Sequence, residues 1–226
     1  MAERQIVAVG GGWSCDGLVD FILGLTSRRP PRVLYVGTAG AENPAAALRV
    51  YDGMQGKAEV RRVEFFPWPA DDLEGLVREQ DAIYVGGGNT ANMLAVWRVH
   101  GFDELLRRAA DDGVVLSGSS AGGVCWFEHA VTDSFGPQLR AMECLGLLGG
   151  SFCPHYDDEE LRRARYHELV AGGLPGGYAA DAGVALHFVD GELRQVVACS
   201  KGTTAYRVEL VDGEVRETPL EARVLP

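Results

Sequence analysis

A chain of 226 residues in which 46% are hydrophobic can fill one sizeable core without disulfide or metal staples, and it is short for two domains. Its formal charge of −11, from 21 basic and 32 acidic residues, argues against a phosphate-tracking nucleic-acid surface and against binding to an anionic membrane. An acidic substrate would need a local basic pocket.

The opening stretch "MAERQIVAVGGG" has too short an apolar run for a signal peptide and breaks into glycines. No apolar run is long enough to span a bilayer, so a cytoplasmic protein is expected. From there the chain alternates short β-branched runs with amphipathic ones. Strands are predicted at 5–11, 32–39, 59–66, 81–88 and 113–120, and helices at 17–26, 43–54, 71–80, 90–101 and 102–113. Apolar strands alternating with helices at this spacing imply an α/β fold with a parallel sheet covered on both faces. Near the end, "VALHFVDGELRQVVAC" and "YRVELVDGEVRETPL" each centre on Asp-Gly, a strong hairpin signal, and are expected to add antiparallel strands at one sheet edge. No linker or repeat interrupts the chain, and a single domain over 1–226 is the economical reading.

The five cysteines are odd in number and scattered, with no C-x-x-C pair, so buried free thiols in a reducing compartment are expected. Neither glycine run, "VGGGWSCDG" or "VGGGNTANM", completes a dinucleotide fingerprint or a P-loop. No metal or organic cofactor is implied.

In open α/β sheets, sites form beyond the carboxyl ends of the strands. There "GSSAGG" satisfies G-x-S-x-G with Ser120 at its centre, a strand before it and an apolar helical segment after it. Such a turn lifts Ser120 above the sheet and turns the amide of Ala121 toward a developing oxyanion. Cys125, about one turn further on, is expected to be buried. A serine hydroxyl needs a base. Among five histidines, His155 is the best placed, in the loop "CPHYDD" where Pro154 holds the backbone open.

These residues resemble the peptidase E family, the aspartyl dipeptidases, with cyanophycinases as relatives. The resemblance rests on "YVGGGNT", "GSSAGGVCWF", "CPHYD" and "AADAGVALHFVDG", whose order and spacing cover most of the chain. It implies a flavodoxin-like three-layer sandwich related to class I glutamine amidotransferases. It also implies Ser120 as nucleophile, His155 as general base, and the amides of Gly88 and Ala121 as the oxyanion hole. Members of the family place a carboxylate, usually Glu, where this chain has Ala182. Asp181 is therefore the expected third member, with Asp133 and Asp157 as alternatives. Asp157 and Asp158 also read as the start of the next helix. The resemblance further implies that Arg162 reads an acidic side chain of the substrate; Asn89 is a second expected substrate-binding residue, and helical spacing puts Arg165 one turn beyond Arg162 on the same face. A solvated surface arginine is the competing reading for Arg162.

The implied function is a serine peptidase acting on short peptides, including dipeptides with N-terminal Asp. An esterase or amidase on the same residues, or a silent binding domain, are the alternatives. No nucleic-acid or membrane partner is expected, and a homodimer through the sheet edge or the hairpins stays open.

Overall fold

The computed structural model describes residues 2–12, 15–157 and 160–226. Five strands, β1 (Gln5–Val9), β2 (Arg32–Val36), β3 (Glu59–Val63), β4 (Ala82–Val85) and β5 (Val115–Ser119), run parallel to one another where they pair. Between them lie helices α1 (Asp16–Gly24), α2 (Pro44–Met54), α3 (Leu73–Arg78), α4 (Thr90–His100) and α5 (Phe102–Asp111). All ten elements fall where periodicity put them, most with trimmed ends and α1 shifted to start at Asp16. β1, β2 and β4 trim because their last residues become glycine-bearing turns.

Local chemistry explains these elements. β1 and β5 are buried along nearly their whole length, which matches their unbroken apolar or small-residue sequence. In α5, Phe102, Leu105, Leu106, Ala109 and Ala110 form one buried stripe at helical spacing. The Asn43 side chain caps α2 by accepting from the Ala45 amide at 2.9 Å, and Pro44 opens the helix.

The rest of the chain departs from expectation in part. After a single helical turn, α6 (Ala121–Val124), the segment from 127 to 153 forms β6 (Phe127–Thr132), β7 (Arg140–Glu143) and β8 (Leu148–Cys153). These were not legible, because "FEHAVT" and "LGGSFC" mix polar and glycine positions with no clean alternation. Helix α7 (Glu160–Ala171) leads to β9 (Gly177–Ala180). The two Asp-Gly hairpins are present as β10 (Val184–Val189) with β11 (Glu192–Ala198), and β12 (Ala205–Val211) with β13 (Glu214–Leu220). Positive φ at both turn residues, Asp190 and Gly191, then Asp212 and Gly213, fits the tight turn that Asp-Gly favours.

The hairpins do not share an edge. β10 pairs antiparallel with β1, whereas β12 pairs with β9 in a second sheet. The first sheet runs β14-β11-β10-β1-β5-β4-β2-β3, with β14 at Ala222–Val224, and the second runs β13-β12-β9-β8-β6-β7. The result is a mixed α/β fold with parallel and antiparallel strands. One face of the first sheet packs on α1 and α2, and the other on α4, α5 and the second sheet. Phe127 of β6 and Phe152 of β8 stack at 5.0 Å, and Phe188 of β10 meets Phe127 edge-on at 5.7 Å, joining the two sheets.

The expectation of free thiols needs correction. Cys15 and Cys199 form a disulfide, their Cα atoms 5.8 Å apart across 184 residues of sequence. The pairing of β11 on β10 and β10 on β1 brings the ends of distant strands together, which spacing alone could not reveal. Cys125, Cys144 and Cys153 stay outside the disulfide as thiols; Cys125 and Cys153 are buried and Cys144 is partly exposed. No helix among the described residues is long and apolar enough to cross a membrane.

Candidate active site

Ser120 sits at the carboxyl end of β5 with φ 55 and ψ −113, a corner that an L-residue adopts only when its surroundings hold it there. The flanking glycines make the corner possible. A Cβ on Gly122 would lie 2.1 Å from the Val85 carbonyl oxygen, and one on Gly118 would lie 2.4 Å from that of Gly122. The turn is therefore packed backbone against backbone.

His155 follows β8 through Pro154 and also has positive φ, 53. Its Nε2 lies 2.9 Å from Ser120 Oγ. Both residues are anchored on the end of β1: the Ser120 amide donates to the Val9 carbonyl at 3.0 Å, and the His155 amide to the Gly10 carbonyl at 2.8 Å. The imidazole packs on Gly11, where a Cβ would stand 2.3 Å from ring carbon Cε1. So the hydroxyl comes from the first sheet, the imidazole from the second, and one strand end fixes both.

Gly88 and Ala121 line a cavity of about 220 Å³ together with Ser120 and His155. Among the described residues neither amide donates to another backbone carbonyl, so both are available to a ligand oxygen. Gly88 has φ 141 and lies so close to Ala39 that a Cβ would be 2.1 Å from its carbonyl oxygen. That contact is why the second glycine run ends in glycine. The helix after the elbow is one turn only, so the Ala121 amide is oriented by the local turn and draws little from a helix dipole.

Arg162 lines the same cavity and is only 3% exposed. The solvated-surface reading of this residue is therefore overturned: α7 lays it against the cavity wall. Arg165 turns elsewhere, to the Leu139 carbonyl and to Glu168. Asn89 is also committed elsewhere. Its Oδ1 accepts from the Asn92 amide at 2.9 Å, capping α4, and its Nδ2 donates to the Ser134 carbonyl at 2.9 Å. Its side chain is structural, holding the loop that carries Asp133 against α4. Asp133 itself is exposed and lines the cavity.

The structure does not join Asp181 to the imidazole. Its Oδ2 accepts from the Thr204 amide at 2.9 Å, and Oδ1 is buried with no hydrogen-bond partner among the described residues. The β9–β10 crossing turns this side chain toward the start of β12. Asp157 is exposed and accepts from the Ala182 amide at 2.9 Å, so it braces the same crossing. Asp158 lies outside the described residues.

Burial raises the Asp181 pKa, partly offset by the Thr204 amide, with Asp157 raising it further. The native state thus holds that proton more tightly than the unfolded chain. The stability this carboxyl contributes is complete below its unfolded pKa, about 3.9, and is lost as pH climbs through the higher native value. Asp181→Asn is accordingly expected to stabilise the protein at neutral pH. The gain should shrink toward pH 3, as measured by denaturant unfolding at both pH values. A large loss of stability at neutral pH would contradict this account.

The other candidate nucleophiles and bases fall away. Burial pushes the Cys125 thiol up and the Cys144 thiol up to about 12, so neither is a thiolate at neutral pH. His167 pairs with Glu217 and Tyr156, and His187 lies 3.1 Å from Gln5 on the far strand pair.

A nucleophile-elbow serine with an imidazole in reach, on an α/β sheet, defines the class of serine hydrolases. The family model of peptidase family S51 matches residues 6–196, and the chain belongs to that family. It is thus a serine-type peptidase. The chain is 44% identical over 229 residues to "Uncharacterized peptidase YgaJ" of Bacillus subtilis (strain 168), a match covering 98% of this chain and 99% of the relative. Two solved structures share the fold. A peptidase E candidate from Listeria monocytogenes EGD-e has a TM-score of 0.68 at 19% identity, covering 88% of this chain and 100% of its own. A peptidase from an acI-B1 actinobacterium has a TM-score of 0.68 at 17% identity, covering 96% and 94%.

Proposed function

We propose that the protein hydrolyses short peptides, with Ser120 as nucleophile and His155 as general base. The observation that carries this reading is the 2.9 Å contact between Ser120 Oγ and His155 Nε2 at a backbone corner held in the left-handed region. In the first step Ser120 Oγ attacks the scissile carbonyl as His155 takes its proton. The oxyanion is held by the amides of Gly88 and Ala121. His155 then protonates the departing amine as the C–N bond breaks, leaving an acyl ester on Ser120 that water cleaves.

Arg162 pairs with an acidic N-terminal residue of the substrate in this reading. Its burial in the wall of the cavity that holds Ser120 supports that role, since an arginine there meets a carboxylate away from bulk water. A flavodoxin-like three-layer arrangement of the class I glutamine amidotransferase kind belongs to the same proposal, supported by β1–β5 running parallel with helices on both faces.

The test combines a fluorophosphonate probe with hydrolysis of Asp-Leu, Leu-Leu and an aryl ester. Wild type should be labelled and Ser120→Ala should not, and Asp-Leu should be cleaved faster than Leu-Leu. Exclusive turnover of the ester would remove the peptide substrate, and labelling that persists in Ser120→Ala would remove Ser120.

A further inference from the structure

Two cavities meet at the Ser120–His155 pair. The second, of about 370 Å³, shares Ser120 and His155 with the first but lies on the side of α2 and β2. Tyr35 and Tyr84, stacked at 6.3 Å and each 5% exposed, form part of its wall, with the backbone of Gly86 and Gly87 beside them. Arg49, on α2, completes the lining and is exposed. Its guanidinium forms no ion pair among the described residues, although the chain carries an excess of 11 negative charges. Its charge reaches the Tyr35 phenol, which burial pushes up and Arg49 draws partly back.

The two oxyanion donors decide which cavity holds which half of a substrate. Gly88 and Ala121 line only the first. A tetrahedral oxygen bound there commits the acyl part to the Arg162 side. The amine expelled after proton transfer from His155 must then leave on the opposite side of the pair. In a dipeptide that departing group is one amino acid, which ends in a free carboxylate. An exposed guanidinium, with no ion pair among the described residues, at the edge of an aromatic and glycine-walled cavity matches that chemistry.

We propose that the second cavity receives the departing residue of a dipeptide and that Arg49 pairs with its free carboxylate. The proposal rests on the roles given above to Ser120, His155 and the Gly88 and Ala121 amides, and it implies a restriction to very short substrates. A longer peptide would place a neutral amide where Arg49 offers a charge.

The experiment compares kcat/KM for a dipeptide and for the same dipeptide with an amidated C-terminus. Wild type should favour the free acid by about tenfold, the worth of one charge-assisted contact. Arg49→Gln should erase that preference, mainly through KM, and Arg49→Lys should restore part of it. Arg49→Glu should favour the amide. Circular dichroism melts of the variants establish that each is folded. A preference for the acid that survives in Arg49→Gln, or equal wild-type rates on acid and amide, would overturn the role of Arg49. In that case continued fluorophosphonate labelling of Ser120 and continued peptide cleavage leave the catalytic pair standing. A wild type that is neither labelled nor active on either peptide overturns both readings at once.

Discussion

Replacing His155 with alanine is expected to lower kcat on a peptide substrate by at least about 10⁴-fold, while leaving the thermal midpoint near that of wild type. The activity loss follows from the 2.9 Å contact to Ser120 Oγ, since a serine hydroxyl without a base is a weak nucleophile. The stability expectation follows from the backbone. His155 already holds φ 53, and alanine suffers the same left-handed penalty, so the substitution adds no strain. The ring is only partly buried, and the amide bond to the Gly10 carbonyl survives. Kinetics with a chromogenic peptide and a melting curve test both parts. Near-normal kcat in a folded variant would assign the base elsewhere.

Gly11→Ala is expected to lower kcat by about 10²-fold with the fold intact. The added methyl would stand 2.3 Å from Cε1 and 2.4 Å from Nδ1 of His155, distances no real Cβ contact shows. The ring must move, and a shift of about 1 Å at a proton-transferring group costs roughly two orders of magnitude. No backbone strain contributes, because Gly11 is not among the positive-φ glycines. The loss should therefore appear in kcat and in the rate of fluorophosphonate labelling, with little change in melting temperature. A variant labelled at the wild-type rate would show that the ring tolerates displacement.

The parallel half of the fold was legible because β1, β2, β4 and β5 are almost wholly apolar or small-residue runs and its helices carry clear stripes. The Ser120 corner was legible for a similar reason: the glycines at 118 and 122 are demanded by backbone approaches that G-x-S-x-G reports directly. His155 could be chosen because a loop histidine after proline differs in kind from histidines inside helices or strands. The second sheet was hidden, since β6 and β8 have too little alternation to reveal a buried face. The hairpins were visible but their partners were not, because pairing with β1 or β9 is a long-range event. Asp181 and Asn89 show where motif reasoning stops. Each has the right residue type near the right motif, yet the Thr204 amide turns Asp181 away through Oδ2, and Asn92 and Ser134 occupy Asn89. Arg162 shows the opposite case, a charged residue that helical patterning would leave in water and that packing places at the cavity.

The two anchors on β1 have an implication for how this enzyme tolerates change. Val9 and Gly10 are adjacent, so the offset between hydroxyl and imidazole is gauged by a single peptide unit belonging to neither of the loops that bear them. Drift in either loop is corrected against that common ruler. Damage to the ruler, for instance a one-residue deletion within Gln5–Val9, would throw both groups out of alignment together, however well the remainder of the molecule survived.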